Sequence, residues 1–352
     1  MKTDTKATEV TPAETADCCG GMGEECEHHH AGGSSINESK TQKTIKMWRG
    51  LALIMFGLVI LSQVFSVSVR PKSWVFRLVT GGKTADTSLA TAVSSAPSVD
   101  TSALEQEVLP AGGVVLPITW GSIGKQMVAD GVIDETKFRA LFQGGFDNQD
   151  EQMLSGSWND QVVMTPDNSR FMLDLLWAFG LGNKNDILDH GEMTDPQYGG
   201  ADKFAATGGW SLAKGPAMDH YSHHNYVTLS AEQQALVDKV SRNIYRPCCG
   251  NSTHFPDCNH GMAMLGLLEL MAKNGANEDQ MYQVALAVNS YWFPQTYMDL
   301  ATYFKEQGKD WNQVDAKTVL GQEYSSAQGY QVTREKIQSL PEPAQGGGGC
   351  GA

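Results

Sequence analysis

The chain has 352 residues and a formal charge of −14. That length suffices for one or two domains, and the acidic balance offers no basic face to meet phosphates, which excludes a nucleic-acid role. Seven cysteines, an odd number, rule out complete internal pairing.

Residues 1–46 are rich in Thr, Glu, Ser, Lys and Gly and carry no apolar period, so they read as a disordered tail. Within it, Cys18, Cys19, Cys26, His28, His29 and His30 place thiols and imidazoles on one mobile segment. Such a mixture wraps a soft or borderline metal ion, whereas a bare histidine run would be low-complexity sequence.

Residues 47–70 follow. From Gly50 to Val69 there are twenty residues without a charge, enough to cross a bilayer. Trp48 and Trp74 flank the run as interfacial anchors. A cleaved signal peptide would need a shorter charged leader and a small-residue cleavage site, so the expectation is a single transmembrane helix. Lys40, Lys43, Lys46 and Arg49 before the span nearly balance Arg70, Lys72, Arg77 and Lys83 after it. Residues 71–113, rich in Ser, Thr, Ala and Gly, read as a flexible stalk, which favours a large C-terminal domain on the extracytoplasmic side.

Residues 114–342 carry helical patterns, so the expected fold is mostly α with long irregular loops. Asp134 opens a short helix with Phe138, Leu141 and Phe142 on one side. Thr165-Pro166-Asp167 reads as an N-cap followed by a first-turn proline, and Gly180 and Gly182 as the end of that helix. Residues 182–228 hold no long periodic run. A connection of that length is usually functional or disordered. Ser230 with Gln233, and Asn277 with Gln280, are helix-opening patterns. Pro247 closes the first of those helices, and Pro294 kinks or breaks the second before Tyr297–Lys305. Residues 259–274 are apolar around most of the circumference but short for a bilayer, as befits a buried core helix. Residues 343–352 form a glycine-rich tail that makes Cys350 a mobile ligand.

The chemistry concentrates between Arg246 and Met264, where Cys248, Cys249, His254, Cys258, His260 and Met264 alternate with prolines and glycines before the core helix. A helix start favours a thiolate at Cys258, and His260 and Met264 share one helix face. Adjacent cysteines rarely reach one ion together, so the expected ligands are one of Cys248 and Cys249, then Cys258, then one or two histidines. Thiolate and imidazole suit zinc or copper(I), and nearby methionine leans towards copper. Two readings compete: a structural disulfide from Cys248 or Cys249 to Cys258, and thiol–disulfide exchange, for which the usual Cys-x-x-Cys is missing. Methionine at helical spacing is also ordinary core filler. His220, His223 and His224 form a candidate second metal cluster, weighed against a solvated loop.

Pro247-Cys248-Cys249-Gly250, then His254 and Asp257-Cys258, resembles the PCYCGC-motif family of bacterial membrane-attached proteins. The resemblance covers about a dozen residues and departs in the middle cysteine pattern. It implies a bacterial, envelope-facing Cys/His protein. The functional expectation is a membrane-anchored copper- or zinc-binding protein. The alternatives are an envelope thiol–disulfide or metal-dependent redox enzyme, and a structural anchor with a disulfide-stapled domain.

Overall fold

The computed structural model describes residues 102–338. The tail ligands Cys18, Cys19, Cys26, His28, His29, His30 and Cys350, the expected transmembrane helix 47–70 and residues 71–101 of the expected stalk lie outside the described residues. Among the described residues no helix is long and apolar enough to cross a membrane.

The described part is mostly helical. Helix α1 (Ser102–Val108) precedes strand β1 (Val114–Leu116), then α2 (Ile123–Asp130), α3 (Glu135–Ala140), α4 (Asn148–Ser155) and strand β2 (Val162–Met164). The two strands pair antiparallel, Val114 opposite Met164 and Leu116 opposite Val162. Next come α5 (Ser169–Gly182) and an irregular region with two short helices, α6 (Asp186–His190) and α7 (Ala205–Gly208). The C-terminal half holds α8 (Ala231–Ser241), α9 (Asn259–Lys273), α10 (Glu278–Trp292), α11 (Pro294–Glu306), α12 (Ala316–Leu320), α13 (Gln322–Ser325) and α14 (Ala327–Arg334).

Helix α1 falls where the stalk was expected to continue. Leu104 and Val108 are buried, so an apolar pair four residues apart docks this segment on the domain. Composition alone hid that pair among Ser, Ala and Gly.

The core is built on α5 against α9. Every residue of α9 from Asn259 to Ala272 is buried, as its all-round apolar pattern requires. The two helices cross at Gly180 and Gly266. A Cβ at Gly180 would run into the Met262 carbonyl oxygen, and one at Gly266 would lie 2.9 Å from the Gly180 nitrogen. Gly180 therefore does not end its helix, which continues to Gly182; it lets two backbones touch. Gly180→Ala is expected to cost about 1–3 kcal/mol through overpacking and to lower the midpoint of thermal unfolding by several degrees. An unchanged midpoint would contradict the close crossing.

Both capping boxes form, Ser230 with Gln233 and Asn277 with Gln280. Thr165 also makes a reciprocal pair: its hydroxyl accepts from the Asn168 N–H, and Asn168 Oδ1 accepts from the Thr165 N–H. That pair closes a turn, and the helix proper starts three residues later than expected, at Ser169. Pro294 occupies the first turn of α11, with Phe293 (φ −131°, ψ 59°) the single break after α10. In α3, Phe138 is buried as expected while Leu141 stays 40% exposed. Helix α8 ends at Ser241, before Pro247, because Tyr245 N–H bonds the Leu320 carbonyl and the chain turns away.

Glu269 is fully buried on α9 and accepts from Asn183 Nδ2 at 2.5 Å. Burial pushes its carboxyl well above the ordinary value, against the Asn183 hydrogen bond that pulls it down. The unfolded chain ionises this group near pH 4.3 while the folded chain keeps the proton. Its contribution to stability is full below that pH and falls, by up to about 1.4 kcal/mol per pH unit, until the folded group ionises. Glu269→Gln imitates the neutral form. Urea midpoints should show this variant gaining on the natural protein between pH 5 and pH 8; a pH-independent difference would refute the assignment.

Candidate metal centre

The loop from Arg246 to Cys258 is a clasp. Tyr245 pairs with Ser252, and the Thr253 N–H bonds the Ile244 carbonyl at 2.7 Å. The Cys249 carbonyl accepts from the Ala327 N–H at 2.9 Å, which ties the loop to the start of α14.

Arg246 organises the interior of this clasp and is 1% exposed. Its Nη1 donates to the Ser252 carbonyl at 2.7 Å and the Asn251 carbonyl at 3.3 Å. Its Nη2 donates to the Phe255 carbonyl at 2.9 Å and to the Asp257 carboxylate. Its Nε donates to Cys258 Sγ at 3.0 Å. The fixed fork of a guanidinium suits such divergent acceptors. Gly261 makes room for it: a Cβ there would lie 2.6 Å from Arg246 Cζ.

Cys258 is the N-cap residue of α9, but its side chain accepts no capping bond. Its sulfur faces Arg246 and lies 3.7 Å from Cys248 Sγ. Cys248, Cys249 and Cys258 are all free thiols, with Cys248 the exposed member. Hydrogen bonds from Cys248 and Cys249, then the Arg246 charge, hold Cys258 well below the usual thiol range against its burial. Cys248 is pushed up chiefly by donating to Cys249 and Cys258. Cys249 is pulled down by Cys248, but donation to Cys258 and burial leave it raised. The set therefore ionises first at Cys258, the position the helix start favoured.

Two donor groups form around that sulfur, each with ligand atoms within 4.8 Å of one another: Cys248, Cys258 and His260, and Cys249, Asp257 and Cys258. His260 is 1% exposed; neither ring nitrogen makes a well-formed hydrogen bond, and its contact with Cys258 adds to the lowering of that thiol. Its ring packs on Phe293, centroids 4.4 Å apart, and edge-on to Trp292 at 5.7 Å. A buried imidazole without a well-formed hydrogen bond is costly, and a metal bond would satisfy one nitrogen. The 3.7 Å sulfur separation is close to the edge of a tetrahedron with zinc–sulfur bonds of about 2.3 Å, which is about 3.8 Å.

The sequence-predicted donors divide accordingly. Cys248, Cys249, Cys258 and His260 come together. His254 does not join them: Nδ1 meets Glu192 at 2.7 Å and Nε2 meets Asp238 at 2.8 Å, so both nitrogens are taken by carboxylates. Met264 is buried in the core one turn beyond His260. His220 and His224 pair with each other at 3.1 Å, while His223 stays exposed. Asp257 and Arg246 were missed as members of the site. Asp257 stands beside Cys258 in sequence and could have been read with it. Arg246 gives no local sign, because its acceptors are mostly backbone carbonyls that any residue supplies.

No protein-family model, curated protein or solved structure matches this chain.

Proposed function

We propose that this chain is a membrane-anchored protein of the cell envelope that binds and hands on a transition metal, copper or zinc. Cys258 is the central ligand, with Cys248 and His260 completing the first set and Cys249 with Asp257 flanking it. The observation that carries this reading is His260, buried with no well-formed hydrogen bond and within 4.8 Å of the Cys248 and Cys258 sulfurs. The exposure of Cys248 supports handling over storage, because an outward thiolate is where a second protein's ligand can displace one of the chain's own. The uncharged run from Gly50 to Val69 supports the single-span anchor and the membrane as partner. The charge of −14 weighs against nucleic acid.

A second reading, a disulfide between Cys248 and Cys258 with a structural or exchange role, draws on their 3.7 Å approach. Elemental analysis of the purified full chain, with alkylation of its thiols mapped by peptide, separates the two. Metal handling expects bound copper or zinc and reduced Cys248 and Cys258 once the metal is removed. A metal-free protein with both thiols blocked to alkylation until a reductant is added would overturn it in favour of the disulfide.

A further inference from the structure

The His220–His224 pair lies apart from the cysteine loop, and its hydrogen bonds have the pattern of a prepared chelate. The loop carrying it is pinned to the end of α5. Ser222 N–H bonds the Leu181 carbonyl at 2.8 Å, His224 N–H bonds the Gly182 carbonyl at 2.9 Å, and Lys184 N–H bonds the His224 carbonyl at 2.7 Å. Between the histidines Ser222 takes φ +51°, an uncommon conformation for a residue with a side chain, and the two rings stack with centroids 5.4 Å apart.

His220 Nδ1 faces His224 Nε2 at 3.1 Å. His220 is 7% exposed, and its other nitrogen, Nε2, faces the Lys214 carbonyl at 3.3 Å. A carbonyl only accepts, so His220 carries its proton on Nε2 and presents a lone pair at Nδ1. The other nitrogen of His224, Nδ1, lies 3.7 Å from Asp130 Oδ2, and that carboxylate also accepts from the Tyr226 hydroxyl at 3.1 Å. A proton on His224 Nδ1 leaves its Nε2 lone pair facing the same gap. Carbonyl and carboxylate behind the distal nitrogens are what orient histidines as metal ligands. Two nitrogens on one zinc ion, each at about 2.0–2.1 Å, lie about 3.3 Å apart at the tetrahedral angle, near the separation seen here.

We infer that His220 Nδ1 and His224 Nε2 form a second, independent site for a borderline divalent cation such as zinc, with the Lys214 carbonyl holding the His220 tautomer and Asp130 near His224 Nδ1. His224 is half-buried and His223 beside it is exposed; water would complete the coordination of a cation held by two imidazoles. The alternative for the same geometry is a direct N–H···N hydrogen bond, with His224 protonated on Nε2.

Hydrogen exchange of the full chain, read by peptide with and without added zinc, tests this. Zinc at ten times its dissociation constant should slow exchange in residues 214–226 by about tenfold where that segment opens locally. The effect should vanish in His224→Gln, whose half-buried side chain can be replaced without opening the core, and in His220→Gln. No zinc effect on this segment of the natural protein, as the direct hydrogen bond requires, would overturn the assignment. So would an effect that persists in His224→Gln while exchange elsewhere shows the variant folded. Residues 246–262 report on the cysteine loop in the same measurement, so the two sites stand or fall separately.

Discussion

Cys258→Ala is expected to abolish the metal binding proposed for the loop and to lower the stability of the domain by two separable amounts. The first is the linkage term. A ligand present at a thousand times its dissociation constant contributes about 4 kcal/mol to the folded state. Cys258 belongs to both donor groups, so its loss leaves neither with three donors. The second is independent of metal. Alanine removes the acceptor of Arg246 Nε, which lies at 3.0 Å from the sulfur in a buried site, and an unpaired buried donor costs about 1–3 kcal/mol. Melting curves with and without a chelator separate them. The natural protein should lose several degrees on chelation and the variant none, while the chelated variant should still melt below the chelated natural protein. Cys258→Ser, which keeps an acceptor, should recover part of the second term only. A variant that retains its metal would remove Cys258 from the centre of the site.

Arg246→Met should cost about 3 kcal/mol or more, although it alters no proposed ligand. The guanidinium joins three carbonyls, a carboxylate and a sulfur, and removing one partner of a buried ion pair typically costs about 3–5 kcal/mol. Asn251 Nδ2 donates to Asp257 Oδ2 at 2.8 Å, so the carboxylate keeps one partner and the lower end of that range applies. Arg246→Lys restores the charge but not the fork, and should recover less than half. Denaturant midpoints give the energies. Exchange of the amides between Asn251 and Asp257 should rise in the methionine variant more than in the rest of the domain. A midpoint within about 0.5 kcal/mol of the natural protein, the usual scatter of harmless substitutions, would show that the clasp holds without its arginine.

Much of the helical framework could be read from local chemistry. Ser230 with Gln233 and Asn277 with Gln280 satisfy orphan N–H groups within four residues, so their signal is complete in the chain itself. The apolar girdle from Met262 to Met271 required burial, and burial followed. Gly180 was misread because a helix-ending glycine and a helix-crossing glycine look alike until the partner backbone at Met262 is known. The docking of α1 escaped for a similar reason, since two apolar residues carry it in a segment of small polar ones. In the site, the helix start at Cys258 and the sharing of His260 were legible from spacing. His254 was not: its carboxylate partners sit at Glu192 and Asp238, the first far back in the irregular region.

The attachment of the cysteine clasp to the C-terminal helices bears on how the protein is made. Tyr245 is held by Leu320 and Cys249 by Ala327, roughly 75 residues later in the chain. A ribosome adding about 5–20 residues per second takes about 4–15 seconds to cover that distance. For that interval the nascent thiols have emerged without the helices that later seat them, and a wrong ion or an oxidant can reach all three. On the proposed metal-binding reading, loading then depends on what surrounds the growing chain, and expression under excess metal should yield more misloaded protein than exposure of the finished fold to the same concentration.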